Sequence, residues 1–227
     1  MRRWLPLQGA GLALAALAIW LVFECSGLDL RLSTLAYSAE ARAFPLRDAW
    51  LTAVVGHTGL KYAADLLWVA LLVVALASRR WRRPALHAAL GAALAATTVS
   101  ALRSWSAHSC PWGLDLFGGS AQWFALFGAV PADPGPGRCL PSGHASSGFA
   151  LIALYFAFRD GHPHLARAGL ALAVALGLVA AWVQVLRGAH FASHALWTAW
   201  IAWAVNAALY GALWRWRRSG GTRRAPA

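Results

Sequence analysis

The sequence is poor in charged residues, and in acidic residues most of all. Charged residues make up 12% of the 227 residues, whereas hydrophobic residues make up 59%. Soluble domains carry about 25% charged residues, so this composition excludes an ordinary soluble protein. Uncharged runs long enough to cross a bilayer account for the difference. The sequence therefore predicts a membrane protein.

The few charges are also biased in sign. Only 8 Asp and Glu residues stand against 20 Lys and Arg residues, which gives a formal net charge of +12 at pH 7. In a soluble protein such an excess would indicate nucleic-acid binding. Here the basic residues fall between apolar runs, where they indicate membrane topology instead. We therefore expect membrane lipids as partners and no nucleic acid.

Two common motifs of zinc sites and serine hydrolases are missing. The three cysteines, Cys25, Cys110 and Cys139, have no CxxC spacing, so nothing in the sequence indicates a zinc site. No serine lies in a GxSxG context, which disfavours a serine hydrolase built on Ser142 or Ser146.

Apolar runs predict an all-α fold with six transmembrane helices in a single domain, residues 1–227. A bilayer core about 30 Å thick needs about 20 apolar helical residues. The runs cover residues 4–23, 58–78, 85–102, 145–158, 168–185 and 195–214. The mixed segments 24–56 and 121–130 predict amphipathic helices at the membrane interface. Residues 216–227 predict a disordered basic tail.

The arginines predict the orientation of these helices. Six spans place both termini on one side of the membrane. Of the 20 basic residues, 13 fall on that side, where Asp160 is the only acid. They are Arg2, Arg3, Arg79, Arg80, Arg82, Arg83, Arg159, Arg167, Arg215, Arg217, Arg218, Arg223 and Arg224. The positive-inside rule makes that side cytoplasmic, and it places three polar loops together on the opposite face.

One of these loops carries a candidate anion site. Pro141, Ser142, Gly143 and His144 follow the Pro/Gly-rich run 131–137 and precede an apolar run, so they lie where a loop becomes a helix. A helix N-terminus presents free N–H groups and favours an anion, so a histidine there suggests phosphate chemistry. The alternative from these residues alone is that Ser142 caps the helix and His144 is an incidental surface residue.

Three segments together resemble the type 2 phosphatidic acid phosphatase (PAP2) family, the membrane branch of the vanadium-haloperoxidase superfamily. That family carries the motifs KxxxxxxRP, PSGH and SRxxxxxHxxxD. The second motif is intact at residues 141–144. The third aligns with VQVLRGAHFASH at residues 183–194, and the first aligns with RSWSAHSCP at residues 103–111. The order of the motifs and their loop positions also agree.

The sequence departs from the family pattern at several positions. Arg103 replaces the first lysine, and Cys110 stands where the first motif has arginine. Gln184 and His194 replace the arginine and the aspartate of the third motif. A divergent site with relocated arginines and a weakened or inactive site are both compatible with these replacements.

The resemblance implies a mechanism and a set of site residues. His190 would be the nucleophile, His144 the general acid and base, and His194 the group that orients the nucleophile. The implied phosphate-binding residues are Arg103, Arg187, Ser142, Gly143 and Arg138. The family chemistry needs no metal and no cofactor. Asp115 is a further hypothesis for the missing carboxylate. We also expect a disulfide between Cys110 and Cys139, since both fall on the oxidising face.

The resemblance implies a phosphoric-ester hydrolase of a bacterial inner membrane, with cytoplasmic termini and a periplasmic active site. The expected substrate is a phospholipid, an isoprenyl diphosphate or a lipid A phosphate. A phosphotransferase of the same fold and a non-catalytic protein that binds lipid phosphate are the alternatives.

Overall fold

The computed structural model describes residues 4–221, which form a bundle of helices. We number the helices in chain order. They are α1 (Trp4–Ile19), α2 (Leu28–Ala36), α3 (Leu60–Ala77), α4 (Arg82–Trp105), α5 (Ala145–Phe149), α6 (Ala153–Phe158), α7 (Pro163–Leu186) and α8 (Ala192–Gly221). Two π-helical segments, Trp20–Cys25 and Leu51–Gly59, extend α1 and precede α3.

Five of the helical segments are long and apolar enough to cross a membrane. They are Trp4–Cys25, Leu51–Ala77, Arg82–Trp105, Pro163–Leu186 and Ala192–Ser219. The chain is therefore a multi-pass, all-helical membrane protein. The other predicted span, Ala145–Phe158, is apolar but shorter. At 1.5 Å per residue it is about 21 Å long, less than the bilayer core, so its crossing stays a prediction.

Sequence features explain where these helices begin. Pro84 lies in the first turn of α4 and Pro163 is the first residue of α7, positions where proline loses no helical hydrogen bond. The segment before α3 starts at Leu51, seven residues before the predicted span. This earlier start places His57 inside the helix rather than at its beginning.

The loop predictions were partly wrong. Segment 24–56 contains the short helix α2, whose place at the membrane interface stays a prediction, and residues 121–130 form no helix. That segment is tied down by its backbone instead, with Gln122 N–H donating to Asp133 O. The predicted disordered tail was wrong for residues 216–221, because α8 continues through them. The remaining tail residues, 222–227, lie outside the described residues.

Small side chains let the helices approach one another closely. The buried core of α4 is mostly alanine and glycine, and a Cβ added to Gly91 would lie 2.1 Å from Asn206 Oδ1 of α8. A Cβ at Gly148 would lie 2.2 Å from the backbone nitrogen of Gly177 in α7. Helices packed in lipid associate through such small-residue contacts, so these positions fix α5 and α8 against their neighbours.

One end of the bundle gathers the three motif segments. The C-termini of α4 and α7 and the N-termini of α5 and α8 meet there, joined by hydrogen bonds between loops. Ser142 N–H donates to His194 O at 3.0 Å, and Trp112 N–H donates to Gly188 O at 2.9 Å. These bonds bring the segments around residues 103–112, 138–144 and 184–194 into one site.

Candidate active site

His190 is buried, and its hydrogen bonding defines which ring nitrogen can react. Its Nδ1 lies 2.8 Å from Cys139 O. A carbonyl oxygen only accepts, so Nδ1 carries the proton and Nε2 has the free lone pair. Burial lowers the pKa of His190 to about 3, and the positive charge of His144 acts in the same direction. At neutral pH the side chain is therefore a neutral imidazole with an available Nε2.

His144 lies at the start of α5, beside Arg103. A Cβ on Gly143 would lie 3.3 Å from Arg103 Nη1, so glycine allows the guanidinium to lie close to the backbone there. Arg103 Nε donates to Arg138 O at 2.7 Å, which fixes the guanidinium. Burial lowers the pKa of His144 to about 4. Neighbouring basic groups act in the same direction: His57, Arg103, Arg187 and Lys61.

Arg187 is the second arginine of the site. It belongs to a cluster with His57 and Gln184 that the family motifs do not describe. Arg187 Nη1 lies 2.7 Å from His57 Nδ1 and 3.3 Å from Gln184 Oε1. Arg187 Nε donates to Arg47 O at 2.8 Å. The His57 ring stacks on the His144 ring, with 3.6 Å between centroids. Arg187 thus reaches His144 through His57, a position that the relocated-arginine hypothesis requires.

Two of the predicted site residues, Ser142 and Arg138, make structural contacts within the loop. Ser142 is fully buried, and its Oγ accepts from Ala145 N–H, the first N–H of α5, at 3.3 Å, although His144 occupies the N-cap position. Its own N–H donates to His194 O, which leaves that group unavailable to a phosphate. Arg138 holds Arg103 through its carbonyl, while its side chain is exposed.

His194 does not orient His190 as predicted. Its ring lies 5.9 Å from the His190 ring between centroids, and Cys139 O accepts the hydrogen bond from His190 Nδ1 instead. Among the described residues, buried His194 Nδ1 has no hydrogen-bond partner. The backbone of His194 contributes instead, because its carbonyl accepts from Ser142 N–H and holds the loop.

The buried carboxylate of this region is Asp29, not Asp115. Asp115 is exposed, and its Oδ1 accepts from the adjacent Leu116 N–H at 2.8 Å. Asp29 of α2 is buried, and its Oδ1 accepts from Ser193 N–H at 3.0 Å, in the first turn of α8. Burial raises the pKa of Asp29. A negative group at a helix N-terminus is stabilising, so Asp29 anchors the third motif segment.

A disulfide joins the first and second motif segments. Cys110 and Cys139 are bonded, with 5.2 Å between their Cα atoms, and Cys25 is free and exposed. Cys139 Sγ, His190 and His194 place possible ligand atoms within 4.8 Å of one another. The sulfur is bonded to Cys110, however, and so offers no thiolate to a metal. The disulfide instead fixes the residue whose carbonyl orients His190.

A groove of about 440 Å³ runs from the site along the bundle between α3, α4 and α5. Its polar end contains Lys61, Arg103 and His144. Much of the remaining lining is small and apolar, from Ala92, Ala93, Ala96, Val99, Ala150 and Leu151. Residues 92 and 103 are about 16 Å apart along the α4 axis, so the groove reaches well into the apolar part of the bundle.

Sequence reasoning missed His57, Asp29 and the Cys139 carbonyl. His57 lies outside all three family motifs, and His108 occupies an unspecified position of the first motif. His108 in fact stacks on Phe124 at 4.2 Å, in the loop, and its Nε2 is one of the buried atoms without a partner in the described chain. One local signal for His57 exists, since it precedes Lys61 by four residues and shares its helix face.

The structure is a multi-pass helical bundle with two neutral histidines and two arginines at one end. This arrangement is typical of a class of membrane proteins suited to phosphoryl transfer. The match to a family model specifies that class. Residues 84–218, more than half of the chain, match the PAP2 superfamily. The chain therefore belongs to the PAP2 superfamily, which confirms the resemblance. Members of this superfamily are generally phosphatases, which supports a phosphoric-ester hydrolase. No curated protein and no solved structure gives a significant match.

Proposed function

We propose that the protein is a membrane phosphatase that hydrolyses a lipid phosphate monoester or diphosphate through a phosphohistidine on His190. The observation that carries this proposal is the fixed tautomer of His190. Its Nδ1–H is held by Cys139 O, so the lone pair of Nε2 is free. A neutral, oriented imidazole is the form that attacks phosphorus.

The first step transfers the phosphoryl group to the enzyme. His190 Nε2 forms the P–N bond while the ester P–O bond breaks, and protonated His144 gives its proton to the leaving oxygen. Arg103 and Arg187 compensate the negative charge on the phosphoryl oxygens. Gly143 N–H makes no hydrogen bond within residues 4–221 and is a further donor for these oxygens.

The second step regenerates the enzyme. Neutral His144 takes a proton from water, the resulting hydroxide oxygen bonds to phosphorus, and the P–N bond breaks. Inorganic phosphate leaves, and His190 Nε2 regains its lone pair. His144 thus alternates between acid and base, which requires that both of its protonation states be accessible during turnover.

The groove supports a substrate with a lipid tail. Its polar end contains Lys61, Arg103 and His144, where a phosphate would be held, and its apolar lining lies beyond them and reaches Ala92, about 16 Å from Arg103 along α4. An acyl or isoprenyl chain would bury its apolar surface along this lining. Under the arginine distribution the site faces the periplasm of a bacterial inner membrane, with both termini in the cytoplasm.

Phosphate release from a lipid panel tests the proposal. Purified protein would be assayed with phosphatidate, phosphatidylglycerol phosphate, an isoprenyl diphosphate and a lipid A phosphate. We expect wild-type turnover on at least one lipid, none with His190→Ala, and a strong loss with His144→Ala. Lipid binding without turnover would favour the non-catalytic alternative. Transfer to an alcohol acceptor in preference to water would favour a phosphotransferase.

A further inference from the structure

We propose that His57 is a positioning residue for His144, and that Gln184 and Arg187 hold His57 in place. This inference rests on the proposed function, in which His144 is the acid and base. His57 precedes residues 84–218, so the family match does not include it. The proposal also gives a role to Gln184, which replaces an arginine of the family motif.

The contact between the two histidines is face to face. Their ring centroids are 3.6 Å apart and their planes are inclined by 30°. A ring packed at this distance restricts the tilt and rotation of the His144 imidazole. It also excludes water from one face of that imidazole and so contributes to the burial that lowers the pKa of His144.

The hydrogen bonds of His57 define its tautomer. Gln184 Nε2 lies 2.9 Å and Arg187 Nη1 lies 2.7 Å from His57 Nδ1. Both groups are donors, so Nδ1 accepts and the proton is on Nε2. Arg187 Nη1 also donates to Gln184 Oε1, which turns the amide so that its NH₂ group faces His57. The three side chains therefore form one consistent set of hydrogen bonds.

The backbone allows this cluster to form. A Cβ on Gly56 would lie 2.8 Å from Val183 Cγ2, closer than side chains pack. Glycine at position 56 thus lets the π-helical segment Leu51–Gly59 approach α7 directly beside Gln184. Such π-helical segments are frequent at functional sites, because they shift the side chains that follow.

A neutral His57 suits a neighbour that changes its charge. The other basic groups around His144 are Arg103, Arg187, Lys61 and His190. If His57 Nδ1 took a proton, it would lose its hydrogen bonds from Gln184 and Arg187. His57 therefore presents an uncharged ring face to His144. An imidazolium is attracted to an aromatic face and a neutral imidazole stacks on it equally well. His57 can therefore support His144 in both of its catalytic states.

The pH dependence of kcat/KM reports on this contact. The first step needs protonated His144 and a dianionic phosphate, whose second pKa is about 6. With the pKa of His144 at about 4, kcat/KM is nearly constant between pH 4 and 6 and falls tenfold per unit above pH 6. The ratio of kcat/KM at pH 7 to that at pH 5 is then about 0.1.

The test compares His57→Ala and His57→Phe with wild type on a phosphate monoester from the lipid panel. Alanine exposes His144 to water, which raises its pKa toward 6.5. The pH 7 to pH 5 ratio should therefore rise several-fold, and kcat per protonated His144 should fall about tenfold or more because the ring is less well oriented. Phenylalanine keeps a ring at this position and should recover most of both effects. Gln184→Leu should change kcat and the pH ratio in the same direction as His57→Ala does, but by a smaller amount.

His164→Ala provides the matched control. His164 is exposed in the first turn of α7, at the opposite end of that helix from Gln184, and we expect wild-type kinetics. A His57→Ala variant with wild-type kcat and a wild-type pH ratio would overturn the proposal.

A second readout separates this proposal from the proposed function. If wild type released phosphate from no lipid, the function would be wrong. His144 would then be titrated by NMR with ¹⁵N-labelled histidine, without substrate. A higher pKa of His144 in His57→Ala than in wild type would support the contact, and an unchanged pKa would overturn it.

Discussion

The disulfide between Cys110 and Cys139 should support both the stability and the activity of the protein. We consider the variant Cys110→Ser, which removes the bond but leaves Cys139 and its carbonyl present. The two cysteines are 29 residues apart, and closing a loop of that length lowers the entropy of the unfolded chain enough to stabilise the fold by about 3.6 kcal/mol.

The effect on activity has a different cause. Cys139 O holds Nδ1 of His190 at 2.8 Å, and the disulfide restrains the position of Cys139. Without the restraint the imidazole samples other orientations, and a displacement of about 1 Å at a reacting group can lower the rate about 100-fold. We therefore expect kcat to fall about 10- to 100-fold with a smaller change in KM, because neither cysteine lines the groove proposed to bind the substrate.

The measurements are thermal unfolding, phosphate release and thiol labelling, each with and without a reductant. Cys25→Ser is the control, since Cys25 is free and exposed, and it should match wild type. Native wild type should label one thiol, and the reduced, unfolded protein should label three. Labelling of both Cys110 and Cys139 in the native protein would refute the disulfide. A Cys110→Ser variant with wild-type stability and kcat would refute its proposed role.

Three further predictions concern charge. For a monoester substrate, kcat/KM should be constant between pH 5 and 6 and should fall tenfold per pH unit above pH 6, because burial keeps His144 and His190 neutral to low pH. A decline of kcat/KM toward acid pH that starts near pH 6.5 would contradict the lowered pKa values of the two histidines. Arg103→Met should lower kcat/KM about 100-fold or more while Arg103→Lys retains most of it, and near wild-type kinetics of the methionine variant would exclude Arg103 from the phosphate site. Asp29→Ala should lower the free energy of unfolding by about 1–2 kcal/mol, because Ser193 N–H loses its acceptor. Asp29→Asn keeps an acceptor and should lose less, and a Tm of the alanine variant equal to wild type would refute the anchoring role.

The helices of the fold were largely predictable because hydrophobicity and bilayer thickness determine them. The long apolar runs need no tertiary information to be recognised, and the structure lengthens each of the five by two to eight residues. The short segment Ala145–Phe158 shows the limit of this reasoning. It begins directly after the motif residue His144, so the position of its start is set by the site rather than by bilayer thickness.

The motif residues of the site were also predictable, since PSGH is intact and the third motif aligns on His190. The hydrogen-bond and stacking partners of these residues were not predictable. The contact of His57 with Gln184 spans 127 residues and depends on a close approach at Gly56, which no local pattern encodes. The acceptor for His190 is a backbone carbonyl, that of Cys139, and any residue type could supply it.

The disulfide has a consequence for the orientation of the protein in its membrane. Under the proposed topology both sulfurs lie in the oxidising periplasm, where the bond persists. A copy inserted upside down would place Cys110 and Cys139 in the reducing cytoplasm, where the bond would not be maintained. Under the proposed mechanism, such a copy would lack the restraint on His190 and would hydrolyse phosphate esters of the cell interior about 10- to 100-fold more slowly. Under the proposed topology, the disulfide therefore reserves full activity for copies inserted in the proposed orientation.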